Sequence, residues 1–206
     1  MPHSQSEWDA KHRLAAEAPP SEPASIVCEL LPLLPRGPAL DIACGTGRHS
    51  LLIAARGQHV TAVDYSSVAL DILEVHTHSQ HLRVKRGEGF HPSGRHLHGG
   101  LDLIHANLEE AHLPEHSYDL ILCVQYLQRS LFPQMVRALH PGGVLLMETF
   151  TQVQQEFSGG PRNPAYLLET GELREAFPEL RVLFYRELRA GVGIASLIAR
   201  KQVERQ

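Results

Sequence analysis

Apolar and polar positions fall into blocks along this chain. Residues 39–43 form a short apolar run interrupted only by Asp41, the pattern of a strand buried on both faces. Similar runs recur at residues 59–63, 101–106, 120–124 and 144–150. Helical spacing fills the stretches between them. Ile26, Val27, Leu30, Leu31 and Leu34 stand three and four apart within residues 20–35, and Pro32 and Pro35 spoil the end of that helix. Residues 50–55 and 68–73 read as helices behind the first two strands, the second capped by Ser66. Another helix covers residues 129–140, broken near Pro133 and stopped by Pro141-Gly142-Gly143. A helix over 169–177 precedes two strands, 180–188 and 192–200, joined through Arg189-Ala190-Gly191 as an antiparallel pair. A short polar helix opens at Trp8 and ends near Pro19-Pro20. Strands alternating with helices predict an α/β fold with a doubly wound, mostly parallel sheet.

Residues 75–100 are the least regular. They carry His76, His78, His81, His91, His96 and His98 among glycines and basic residues. No cysteine joins these histidines and no H-E-x-x-H pattern occurs, so no metal site is expected. The segment reads as a helix tail to Lys85, then an exposed loop.

With 206 residues and 43% hydrophobic content, the chain can bury one core, so one domain over residues 1–206 is expected. A net charge of -4 without a Lys/Arg-rich run argues against nucleic-acid or anionic-membrane partners. No apolar run approaches the roughly 20 residues that span a bilayer. Residues 1–13 are polar, without a signal-peptide core. Cys28, Cys44 and Cys123 are scattered in or beside apolar runs, which predicts buried free thiols and a reducing cytoplasm. A monomer or homodimer is expected.

The candidate chemistry begins at Asp41-Ile42-Ala43-Cys44-Gly45-Thr46-Gly47. A strand breaks into a glycine turn and passes into a helix. The glycines allow a tight turn and close approach of a ligand, and the helix start presents free N–H groups. The next strand ends at Asp64, about 20 residues past the first glycine, where a carboxylate can accept bonds from ribose hydroxyls. Tyr65 follows and is placed to cover an adenine face or to form a core edge. A nicotinamide fingerprint needs a third small residue, but Ser50 occupies that position, and such a fingerprint has no use for Asp41.

Here the sequence resembles the class I S-adenosylmethionine-dependent methyltransferases, whose first motif commonly reads D-x-A-C-G-T-G. Further matches are the L-P-x-x-x-F-D-L-I phrase at residues 113–121, the P-G-G-x-L-L-x-E-T-F phrase at 141–150, and Gly160-Pro161-Arg162-Asn163-Pro164. The last is similar to small bacterial methyltransferases of the tellurite-resistance and thiol-directed group.

The resemblance implies a seven-stranded sheet of order 3-2-1-4-5-7-6, with residues 1–35 as lid and helices and 36–206 as a Rossmann-like core. It implies S-adenosyl-L-methionine as cofactor and a small-molecule acceptor, such as a thiol or chalcogen oxyanion. Asp64 would hold the ribose, and Ala43, Gly45 and Gly47 the turn against the methionine part. Asp41 would orient that part through water or the turn backbone. Asn107 and Leu108 would hold adenine, and a carbonyl near Val124 the methionine amino group. In the lid, Lys11 and His12 replace the family's Arg and Tyr. His12, His49 and Tyr126 are candidate bases, none singled out. Arg162 either holds an anionic acceptor or steadies its loop. The alternatives are a cofactor-binding protein without catalysis and a nicotinamide-dependent oxidoreductase.

Overall fold

A computed structural model describes residues 4–15, 21–87, 89–90 and 99–203. Helix α1 (Gln5–Ala15) buries none of its residues. Helix α2 (Ser25–Leu30) runs directly into a 3-10 turn, Leu31–Leu33, that accommodates Pro32. Strand β1 (Ala39–Ile42) is buried throughout. Helix α3 (Arg48–Ala54) links β1 to the parallel strand β2 (His59–Asp64), and helix α4 (Ser67–Ser79) follows. The Ser66 hydroxyl accepts the Ala69 N–H at 3.1 Å, the expected cap.

Strands β3 (Arg83–Gly87), β4 (Gly100–His105), β5 (Tyr118–Val124) and β6 (Leu139–Phe150) follow, with helix α5 (Phe132–Ala138) between the last two. Helix α6 (Glu172–Glu175) leads to β7 (Leu180–Arg189) and β8 (Gly193–Lys201). The sheet order is β3-β4-β2-β1-β5-β6-β8-β7, parallel except for the pairs that involve β8.

Seven strands stand in the expected order, and an eighth, β3, is added at the edge. The helix tail expected up to Lys85 is corrected: α4 ends at Ser79 and residues 83–87 pair with β4. The glycine stop at 141–143 is corrected as well. Strand β6 already pairs Leu139 with Tyr118, then shifts register and resumes at Val144 opposite Leu120. The helices expected over 20–35 and 169–177 shrink to six and four residues.

The sheet separates two cores. Leu40, Ile42, Ile121, Cys123, Leu145 and Met147 face α5 and α6. Ala39, Val60, Ala62, Leu120, Leu122 and Leu146 lie in the core with Ile26, Ile53, Leu70 and Leu73 from α2, α3 and α4. Cys44 and Cys123 are buried, but Cys28 is exposed on α2, contrary to expectation. His91, His96 and His98 lie outside the described residues. No helix among the described residues is long and apolar enough to cross a membrane.

Candidate functional site

The parallel strands end together around the turn after β1. Ala43, Gly45 and Gly47 all have positive φ, at 54°, 55° and 83°. The Cys44 N–H donates to the Val63 carbonyl at 3.0 Å, tying the turn to β2. The Gly45 N–H donates to Asp64 Oδ2 at 2.7 Å, and the Ser66 N–H to Asp64 Oδ1 at 2.8 Å. Burial raises the Asp64 carboxyl and these two N–H groups pull it back. The Tyr65 N–H also lowers it, and the carboxylate's remaining acceptor capacity is what a ligand hydroxyl could use.

Asp41 lies beneath the turn, 1% exposed, and accepts the Ser50 hydroxyl at 2.6 Å. The Ser50 that spoils a nicotinamide fingerprint is thus the partner of the acid that such a fingerprint lacks. Burial pushes the Asp41 carboxyl up to about 7, and nearby Asp64 adds to the rise. A folded-state value above the ordinary 3.8 favours the folded protein below about pH 4, and that advantage is lost as pH rises toward 7. Asp41→Asn removes the ionisation. Its melting temperature is expected to match wild type near pH 4 and to exceed it by several degrees near pH 8. A lower value at both pH values would mean that the nearby Arg48 compensates the charge.

Helix α1 crosses this end of the sheet. Asp9 Oδ1 accepts the Ser66 hydroxyl at 2.6 Å and the Val68 N–H at 3.4 Å, so the helix docks on the start of α4. His12 faces the glycine turn, its Cε1 3.5 Å from where a Cβ on Gly45 would stand. The Lys11 ammonium lies 4.2 Å from the Trp8 ring centre, which turns its charge onto the aromatic face. Tyr65 is half-buried, and its ring lies nearly parallel to that of His105, with centres 6.3 Å apart. Asn107 Oδ1 accepts the Glu109 N–H at 3.1 Å, while Leu108 is buried in the core. Val124 is buried at the tip of β5. The next residue, Gln125, takes φ 59° and donates its N–H to the Glu148 carbonyl at 2.7 Å.

The three candidate bases separate here. His49 is buried, and its Nε2 accepts the Ala24 N–H at 3.1 Å; burial lowers it to about 3. It holds the segment before α2 and cannot act as a base. The Tyr126 hydroxyl donates to Gln128 Oε1 at 2.5 Å, and burial raises its pKa. His12 alone of the three faces the turn.

Of its two readings, Arg162 takes the second. Its guanidinium donates to the Gln155 and Phe157 carbonyls at 2.7 and 2.8 Å, closing its own loop. The sequence reading missed Arg129. It grips Glu172 with two bonds at 2.5 and 2.8 Å, and donates to the Ala165 and Leu167 carbonyls. Arg129→Met is expected to speed proteolytic cleavage in residues 157–166 by about tenfold while leaving the β1 turn unaffected. An unchanged cleavage rate would show that Arg162 and Asn163 suffice. No sequence signal marks Arg129, because its partner stands 43 positions away.

A family model described as a methyltransferase domain matches residues 40–147, just over half the chain. The trans-aconitate 2-methyltransferase of Rhizobium meliloti is 30% identical over 145 residues, 68% of this chain and 49% of that protein. A ubiquinone biosynthesis O-methyltransferase of Marinobacter nauticus is 29% identical over 127 residues, 58% of this chain and 46% of its own length. The chain thus spans less than half of either relative. Among solved structures, the TehB protein from Haemophilus influenzae superposes with a TM-score of 0.71 at 18% identity, over 91% of this chain and 65% of that one. By its family match and its strand order, the chain belongs to the methyltransferase-domain family and has the fold of the class I S-adenosylmethionine-dependent methyltransferases.

Proposed function

We propose that this chain binds S-adenosylmethionine over the turn after β1 and transfers its methyl group to a small acceptor. The observation that carries the reading is the closure of Gly45 on Asp64 beneath α1. That arrangement offers an anchored carboxylate, a turn open to close approach and a helix that covers both. In this reading Asp64 holds the ribose hydroxyls, and Tyr65, Asn107 and Leu108 border the adenine. Ala43, Gly45, Gly47 and the Val124 carbonyl meet the methionine part. Asp41 acts from below by fixing Ser50 and the start of α3.

The sulfonium carries its own leaving group, so the reaction needs no covalent nucleophile from the protein. Holding donor and acceptor in line supplies most of the acceleration. Two of the three candidate bases are engaged elsewhere, which favours an acceptor with a free lone pair at neutral pH. A thiolate, a selenide or an oxyanion meets that requirement. Each places electron density on the methyl carbon as the carbon–sulfur bond breaks and S-adenosylhomocysteine leaves.

The test offers methyl-labelled S-adenosylmethionine with a small thiol, a chalcogen oxyanion and a tricarboxylic acid. Label is expected on one class of acceptor, and Asp64→Ala is expected to abolish it. Tight binding of S-adenosylhomocysteine with transfer to none of the three would favour a protein that binds the cofactor without catalysis.

A further inference from the structure

Arg48 is the first residue of α3, directly after the glycine turn, and its side chain is half-buried. One end, Nη1, donates to the Glu22 carbonyl at 3.1 Å; the other, Nη2, donates to Gln125 Oε1 at 3.0 Å. Burial lowers the Arg48 pKa, and the buried carboxyls Asp41 and Glu148 partly offset that. Its neighbour His49 fixes the same N-terminal segment through the Ala24 N–H. Arg48 therefore spans three pieces of chain: the segment entering α2, the start of α3 and the tip of β5.

The third of these is under constraint. Gln125 is exposed and has no glycine freedom, yet it stands at φ 59°. A non-glycine residue in the left-handed region is strained and persists only where its surroundings hold it. Two bonds hold this one: its N–H to the Glu148 carbonyl at 2.7 Å and its side chain to Arg48. The conformation of Gln125 sets the direction of the peptide that carries the Val124 carbonyl.

We infer that Arg48 is a positioning residue. By holding Gln125 in its left-handed conformation, it aims the β5 tip at the amino-acid end of the cofactor. The inference rests on the cofactor reading above. Arg48 touches no adenine or ribose atom in this account, so its effect is confined to one end of the ligand.

Two ligands separate the ends. S-adenosylhomocysteine has both the nucleoside and the amino acid, and 5′-methylthioadenosine lacks the amino acid. Calorimetric titration of Arg48→Met is expected to show about a tenfold loss of affinity for the first and less than a twofold change for the second. Gln125→Ala, an exposed substitution that keeps the fold, is expected to give the same split. The double variant is expected to be no weaker than either single one, since both remove the same strut. Equal losses for the two ligands, or none for either, would overturn the inference, as would additive losses in the double variant. Failure of wild type to bind S-adenosylhomocysteine would instead refute the cofactor reading itself.

Discussion

Asp64→Ala is expected to weaken binding of S-adenosylhomocysteine by roughly 100-fold, the largest effect of any single substitution at the site. The carboxylate does two things at once. Its oxygens fix the Gly45 and Ser66 N–H groups, and in the proposed function the same carboxylate accepts the ribose hydroxyls. Alanine removes the ligand's partner and also releases the turn that the ligand must meet. A 100-fold loss is about 2.7 kcal/mol, which one strong or two weak hydrogen bonds to a charged group supply at about 1.5–3 kcal/mol each. Asp64→Asn keeps one acceptor oxygen and is expected to fall between the two. Titration of both variants checks the order. Wild-type affinity in Asp64→Ala would remove Asp64 from the ribose site.

Gly47→Ala is expected to lower stability strongly for so small a change. Gly47 begins α3 at φ 83°, where an L side chain is strained. Its added Cβ would lie 2.1 Å from Leu73 Cδ1 and 2.7 Å from Cδ2, and Leu73 is fully buried. Backbone strain and overpacking each cost about 1–3 kcal/mol, which lowers the melting temperature by roughly 5–15 °C. Gly57 provides the control. It has φ 85° but, among the described residues, nothing within 4 Å of a Cβ, so Gly57→Ala bears the backbone strain alone and is expected to lose about 1 kcal/mol. Equal thermal shifts in the two variants would show that Leu73 moves aside.

The apolar runs were legible because buried parallel strands leave no alternation to confuse: β1, β4, β5 and β6 stand where those runs stand. The glycine turn and Asp64 were legible because their spacing follows from the length of one strand–helix–strand unit. Strand β3 was not. Arg83-Val84-Lys85-Arg86-Gly87 is an exposed edge strand that pairs, among the described residues, with β4 alone. A charged, uncovered edge carries no apolar signature. His49 reads as a candidate base in the sequence, and burial together with the Ala24 bond makes it structural. Cys28 shows the opposite error, since an apolar helix of six residues still has an outer face. Gln125 and Arg129 owe their roles to partners far away in the chain, which no local pattern encodes.

In the proposed function, the turn between Asp41 and Asp64 takes S-adenosylmethionine rather than a dinucleotide. Side-by-side calorimetric titration of the wild-type protein with S-adenosylhomocysteine and with NAD distinguishes the two. Saturable binding of S-adenosylhomocysteine, with no heat from NAD, is the expected result. Binding of NAD without binding of S-adenosylhomocysteine would assign the turn to a dinucleotide instead.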